Sequence, residues 1–156
     1  MYKPILFQKL TTNATVKDSA QWNIYVSHMP FNLSPKAKDL PKRSRPDQNG
    51  DDEYVPDTMF YEAYEMDVTF LYCIPTVKAS GTTGISNTDI KAFLDYLKTG
   101  GVFKMYDAYT KIGRTKVRYV DFNEKMFFRR EGLNDVVEFT LKLKVNDPVT
   151  EITLSL

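Results

Sequence analysis

The chain has 156 residues and a net charge of +1, with 42% hydrophobic and 26% charged residues, a balance that excludes wholesale disorder. The near-neutral charge gives no general case for a nucleic-acid or acidic-membrane partner. A single cysteine, Cys73, and a single histidine, His28, exclude an internal disulfide, a cysteine-based metal cluster and a multi-histidine metal site.

The length suits one domain, residues 1–156, with a substantial core. The aromatic share of 13%, ten Tyr and ten Phe, favours half-buried pleated surfaces over helical bundles. The first ten residues contain no apolar run of signal-peptide length. Nowhere do 18 apolar residues follow one another. The expectation is a soluble chain, made in the cytoplasm, that does not enter a membrane.

Residues 5–10 and 22–26 are short strand candidates. Residues 35–57 then interrupt the pattern. Pro35, Pro41, Pro46 and Pro56 are half of the chain's eight prolines, and almost nothing in this stretch can enter a core. Its charges are sorted: Lys36, Lys38, Lys42, Arg43 and Arg45 come first, then Asp47, Asp51, Asp52, Glu53 and Asp57. A polar segment of about 20 residues without periodicity inside a compact domain points to function or to a mobile, solvated loop.

Residues 61–74 alternate, with Tyr64, Met66, Val68, Phe70 and Tyr72 on one side and Glu65, Asp67, Thr69, Leu71 and Cys73 on the other. Residues 79–84 are a flexible polar connection. The spacing of Ile90, Phe93, Leu94 and Leu97 predicts one amphipathic helix at about 87–99. Ser86 is its N-cap, Asp89 can reach back as a weak capping box, and Ile85 with Ile90 forms a hydrophobic staple. Gly100 and Gly101 stop it.

Strands follow at 102–109, 115–122 and 125–130, the first two joined by a hairpin with Gly113 in its turn. Val137, Phe139, Leu141, Leu143 and Val145 alternate with polar residues, so Val136–Val145 is a strand with one buried and one wet face. Asn146, Asp147 and Pro148 break it, and 150–156 alternate again as a last strand. The fold class is mainly β: an antiparallel sandwich or barrel-like domain with one covering helix and a long extended loop.

Candidate chemistry is thin. Placing Gly50 at the sixth position of an EF-hand loop puts Arg45 at the first and Tyr61 at the twelfth, so a calcium register fails. Cys73 lies at an apolar strand end and His28 at a strand end entering a turn, a poor nucleophile and base pair. Glu65, Asp67, Glu138 and Glu151 read as the wet face of a sheet. Cross-strand pairing with Lys104, Arg114, Lys116 and Arg118 accounts for Asp107 and Asp121. Met126 to Arg130 mixes aromatic and basic residues, as single-strand nucleic-acid binders do, but reads better as an exposed strand or interface edge. No phosphate loop, nucleophile elbow or metalloprotease motif is present. No catalytic residue, metal or cofactor is expected.

The stretch from Pro41 to Pro56, followed by 61–70, resembles tailed-phage tail proteins. Residues 101–114 and 136–148 extend the likeness, whose order is similar to the tail-tube and distal-tail (Dit) superfamily over nearly the whole chain. The resemblance implies a non-enzymatic virion component of a tail tube, distal tail and baseplate hub, or head–tail junction. It implies a ring-forming homo-oligomer, a hexamer, that also contacts other tail or baseplate proteins, binds no specific nucleic acid and is made in the cytoplasm of a bacterial host. The long loop is then the part that reaches a neighbour, through Lys42, Arg43, Arg45, Asp47, Asp51, Asp52, Glu53 and Tyr54. A basic limb followed by an acidic limb is self-complementary head to tail, and such contacts close rings. The loop is expected to extend from the domain and to order when a neighbour receives it. The alternative is a monomeric β-sandwich module that binds a protein or a glycan.

Overall fold

The structure, a computed structural model, describes residues 2–30, 32–73, 88–128 and 136–156. Strands β1 (Ile5–Lys9), β2 (Lys17–Asp18) and β3 (Ile24–His28) come first. They precede β4 (Lys42–Ser44), β5 (Asp51–Glu53) and β6 (Tyr64–Cys73). Helix α1 (Thr88–Lys98), β7 (Phe103–Asp107), β8 (Ile112–Phe128) and β9 (Val136–Val145) complete the described elements. Seven strands form one antiparallel sheet in the order β2-β1-β7-β8-β9-β6-β3, and β4 pairs with β5 alone. The centre is β6 on β9, in unbroken register from Tyr64↔Val145 to Cys73↔Val136.

The sheet curls around its helix. Four strand-to-strand steps separate β1 from β6, about 19 Å in a flat sheet. Yet Phe7 of β1 and Phe70 of β6 each meet the ring of Phe93 at 5.7 Å. Only a strongly twisted, curled sheet brings both to one ring. Ile90, Phe93 and Leu97 plug the concave side, as the apolar stripe requires. This is the mainly β, barrel-like architecture with one covering helix.

Both ends of α1 are tied to the sheet. The Asp89 carboxylate accepts hydrogen bonds from Asn23 Nδ2 and the Tyr72 hydroxyl, each at 3.1 Å, while the capping box expected with Ser86 falls outside the described residues. Burial, and then that bond, push the Tyr72 phenol up to about 12. Ser86 and Ile85 lie outside the described residues, as do residues 79–84. At the other end, Gly100 and Gly101 turn the chain with φ of +80° and +75°. Lys9 Nζ donates to the carbonyls of Tyr96 and Thr99 and lies 4.5 Å from the Tyr96 ring centre, so a cation completes the negative end of the helix.

Four expectations need correction. The strands expected at 115–122 and 125–130 are one strand, β8, which absorbs its irregular polar residues as register shifts between Tyr119 and Asp121 and between Glu124 and Met126. Residues 150–156 form no strand: Glu151 makes an isolated bridge to Arg114, and Ile152 N–H donates to the Gly113 carbonyl at 3.4 Å. Gly113 lies in β8 and not in the turn, where Lys111 supplies the left-handed φ of 60°. Glycine is needed because a Cβ there would stand 2.0 Å from the Ile152 carbonyl oxygen. Finally, Asp107 is buried and accepts from the backbone N–H groups of Tyr109 and Thr110 and from the Thr110 hydroxyl, so it builds the turn rather than pairing across strands.

Candidate functional site

The segment 35–57 is built as an arm. Its root is a ladder: Glu62 N–H donates to the Lys36 carbonyl and Lys38 N–H to the Phe60 carbonyl, each at 2.8 Å, around a bridge from Ala37 to Tyr61. Above it, Tyr54 N–H donates to the Pro41 carbonyl at 3.1 Å. The β4–β5 hairpin then pairs Lys42↔Glu53, Arg43↔Asp52 and Ser44↔Asp51. Gly50, at φ +80°, supplies the one turn position a Cβ would strain. Every residue from 41 to 55 is exposed.

The sorted charges meet within the arm itself. Lys42 Nζ lies 3.5 Å from Asp51 Oδ2, and Arg45 Nε lies 3.7 Å from Asp52 Oδ2. Because side chains alternate along a strand, Lys42, Asp51 and Glu53 share one face and Arg43, Arg45, Asp52 and Tyr54 the other. Each face therefore carries one diagonal ion pair. Arg43 on one face and Glu53 on the other make no ion pair among the described residues. The expectation that the loop orders when a neighbour receives it thus meets a hairpin formed in the single chain: the basic and acidic limbs have each other as partners. Asp47 stands exposed in the turn, where Gln48 N–H donates to the Arg45 carbonyl at 3.3 Å. Large apolar side chains accompany the arm: Tyr54 is 70% exposed, Phe60 65% and Leu33 75%.

Beside the arm's root lies a second feature, a groove of about 590 Å³ across the outer face of β3, β6, β9 and β8. One row of its lining crosses four strands in register: His28↔Thr69, Thr69↔Thr140 and Thr140↔Asn123. Thr69 and Thr140 are buried in the floor, their hydroxyls 3.4 Å apart. Glu65 and Asp67 of β6 line one side; Lys142 of β9 and Lys125 of β8 line the other. The alternation in 61–74 and Val136–Val145 already marked these positions as wet. This wet face is the convex side of the curl, and the groove on it is walled by side chains of the four strands and by Pro30 and Asn32 beyond β3.

His28 and Cys73 are not brought together as a reactive pair by any described contact: His28 is exposed in the groove wall and Cys73 is half-buried at the end of β6. Among the described residues, no group of three or more His, Cys, Asp or Glu is gathered as a metal would require. No helix among them is long and apolar enough to cross a membrane. The backbone of β8 beyond Val117 pairs with β9 alone among the described strands, so that half of β8 is a sheet edge.

Comparison with protein-family models and with curated proteins gives no match. Among solved structures, the chain superposes on the Dit protein of phage SPP1 with a TM-score of 0.54 and 16% identity, over 95% of this chain. That protein is described as a paradigm of the hub adsorption apparatus in phages that infect Gram-positive bacteria. The chain shares its fold and spans about half of its length, 51%.

Proposed function

We propose that this chain is a structural, non-enzymatic component of a phage tail, a single domain that assembles with copies of itself into a ring through its arm and sheet edges. The observation that carries the reading is a fold shared with a tail hub protein over 95% of the chain, combined with a projecting arm whose every residue from 41 to 55 is exposed. A solvated projection of this size contributes little to the fold that bears it, which is the economy expected of a contact element. Arm residues Lys42, Arg43, Arg45, Asp47, Asp51, Asp52, Glu53 and Tyr54 are the proposed contact set, and the ring is a hexamer within the tail tube, hub or head–tail junction. Its other partners are tail or baseplate proteins, and it is made in the bacterial cytoplasm before entering the virion.

The test is direct. Purified protein at high concentration, alone and with its virion partners, is expected to give rings in negative-stain micrographs and a matching mass by light scattering. A strictly monomeric protein under both conditions overturns the reading.

A further inference from the structure

The groove and the arm have matching charge patterns. The groove has its acids, Glu65 and Asp67, on β6, and its bases, Lys142 and Lys125, on the next two strands across. None of the four makes an ion pair among the described residues, although Asp67 and Lys142 are direct cross-strand neighbours. The arm has a basic limb, β4, beside an acidic limb, β5. In both, acid and base are separated by strand-to-strand steps of about 4.8 Å. An arm laid along the groove can therefore set its basic limb over β6 and its acidic limb over the lysines.

A chain does not serve its own groove in this way. Pro30 and Asn32, which line the groove, lead from β3 into the arm, and Glu62 leads from the arm back towards β6. The arm thus springs from the groove's own wall, and its exposed residues leave that groove uncovered.

We propose that the groove on β3, β6, β9 and β8 is the seat for the arm of a second copy of this chain, with Arg43 of the incoming arm against Glu65 and Asp67. This rests on the ring reading above. Of the hairpin cations Lys42, Arg43 and Arg45, Arg43 is the one without an ion pair among the described residues, and its face also carries Tyr54, a rigid side chain suited to an interface. Arm and groove are different surfaces, so the contact is heterologous, head to tail, and closes a ring when the rotation permits. Complementary charges of this kind fix register and partner choice.

The experiment uses single-cysteine additions to the full chain: Asp52→Cys on the arm face that carries Arg43, Asn123→Cys in the groove, and Lys91→Cys on the exposed side of α1 as a control, with the parent chain and its Cys73 as background. Mixed Asp52→Cys and Asn123→Cys proteins are expected to cross-link on mild oxidation, because a disulfide needs Cα atoms within about 7 Å. Mixed Asp52→Cys and Lys91→Cys proteins are expected to stay at background. Arg43→Glu is expected to weaken assembly about tenfold or more, and adding Asp67→Arg is expected to restore it. Rings that form without the arm–groove cross-link and without the rescue overturn the seat and leave the ring reading standing. Equal cross-linking to the helix control also overturns the seat. A protein that never assembles overturns both.

Discussion

Strand β9 and the β4–β5 arm are both antiparallel β structure, yet different forces secure them. On β9, Val137, Phe139, Leu141, Leu143 and Val145 are buried, and the strand is paired on both sides, by β6 and β8. The arm has three paired positions, no buried residue from 41 to 55, and two exposed ion pairs. A buried aromatic or aliphatic side chain contributes several kcal/mol, whereas an exposed ion pair contributes about 0–1 kcal/mol. An isolated two-stranded hairpin is marginal in water. The curled sheet therefore fixes the shape of the molecule, and the arm's sequence is left largely free of folding constraints, which suits a surface that other chains read.

The sharpest way to test this contrast is at the centre of the core. Phe93→Ala removes the ring that Phe7, Phe70 and Trp22 share, and is expected to lower the unfolding free energy by ~3–5 kcal/mol in urea titrations. A loss below ~1 kcal/mol would mean that the helix is not the plug of the sheet. The two glycines give the next largest effect and one from each region. Gly113→Ala drives a methyl into the Ile152 carbonyl and is expected to cost ~1–3 kcal/mol, with the melting temperature falling accordingly. Gly50→Ala meets open space and bears only the strain of its positive φ, about 1 kcal/mol.

The pH response separates the regions again. Tyr72 is pushed from its ordinary value of 10.0 up to about 12, so the folded protein retains a proton that the unfolded chain releases. Its stabilising contribution is complete below pH 10 and is lost as the pH rises through about 12. Tyr72→Phe is expected to flatten that alkaline loss of stability in pH-dependent denaturation, the remaining slope coming from Tyr2 and Tyr96, whose phenols burial also raises. If the alkaline slope is unchanged in the variant, Asp89 and Tyr72 do not couple the helix to the sheet.

The smallest folding effect belongs to the arm. Lys42→Ala and Arg45→Ala are each expected to change the unfolding free energy by less than ~1 kcal/mol. Assembly, followed by light scattering, is expected to respond to the same substitutions and to weaken with salt, since the Debye length falls to about 3 Å at 1 M. A large folding loss with normal assembly would reverse the roles assigned to arm and sheet.

The alternation of Val137 to Val145 was enough to bound β9 residue for residue, and the spacing of Ile90 to Leu97 placed α1 within about a residue of its ends, because both patterns record which face of a local element is buried. The alternation in 150–156 misled for the same reason: a period of two shows that side chains face opposite ways, not that a neighbouring strand is there to pair. Gly113 could not be read as a contact residue, since its need for glycine comes from Ile152, 39 positions away. The charges of 35–57 were legible as sorted but not as paired, because a hairpin's register decides which acid meets which base. Composition and periodicity, then, determined a mainly β chain with one helix and a polar projection. The curl that brings Phe7 and Phe70 to one ring, and the groove that Pro30, Asn32, Glu65, Asp67 and Lys142 line on the opposite face, were decided by tertiary packing, which is a property of distant contacts and leaves no local period.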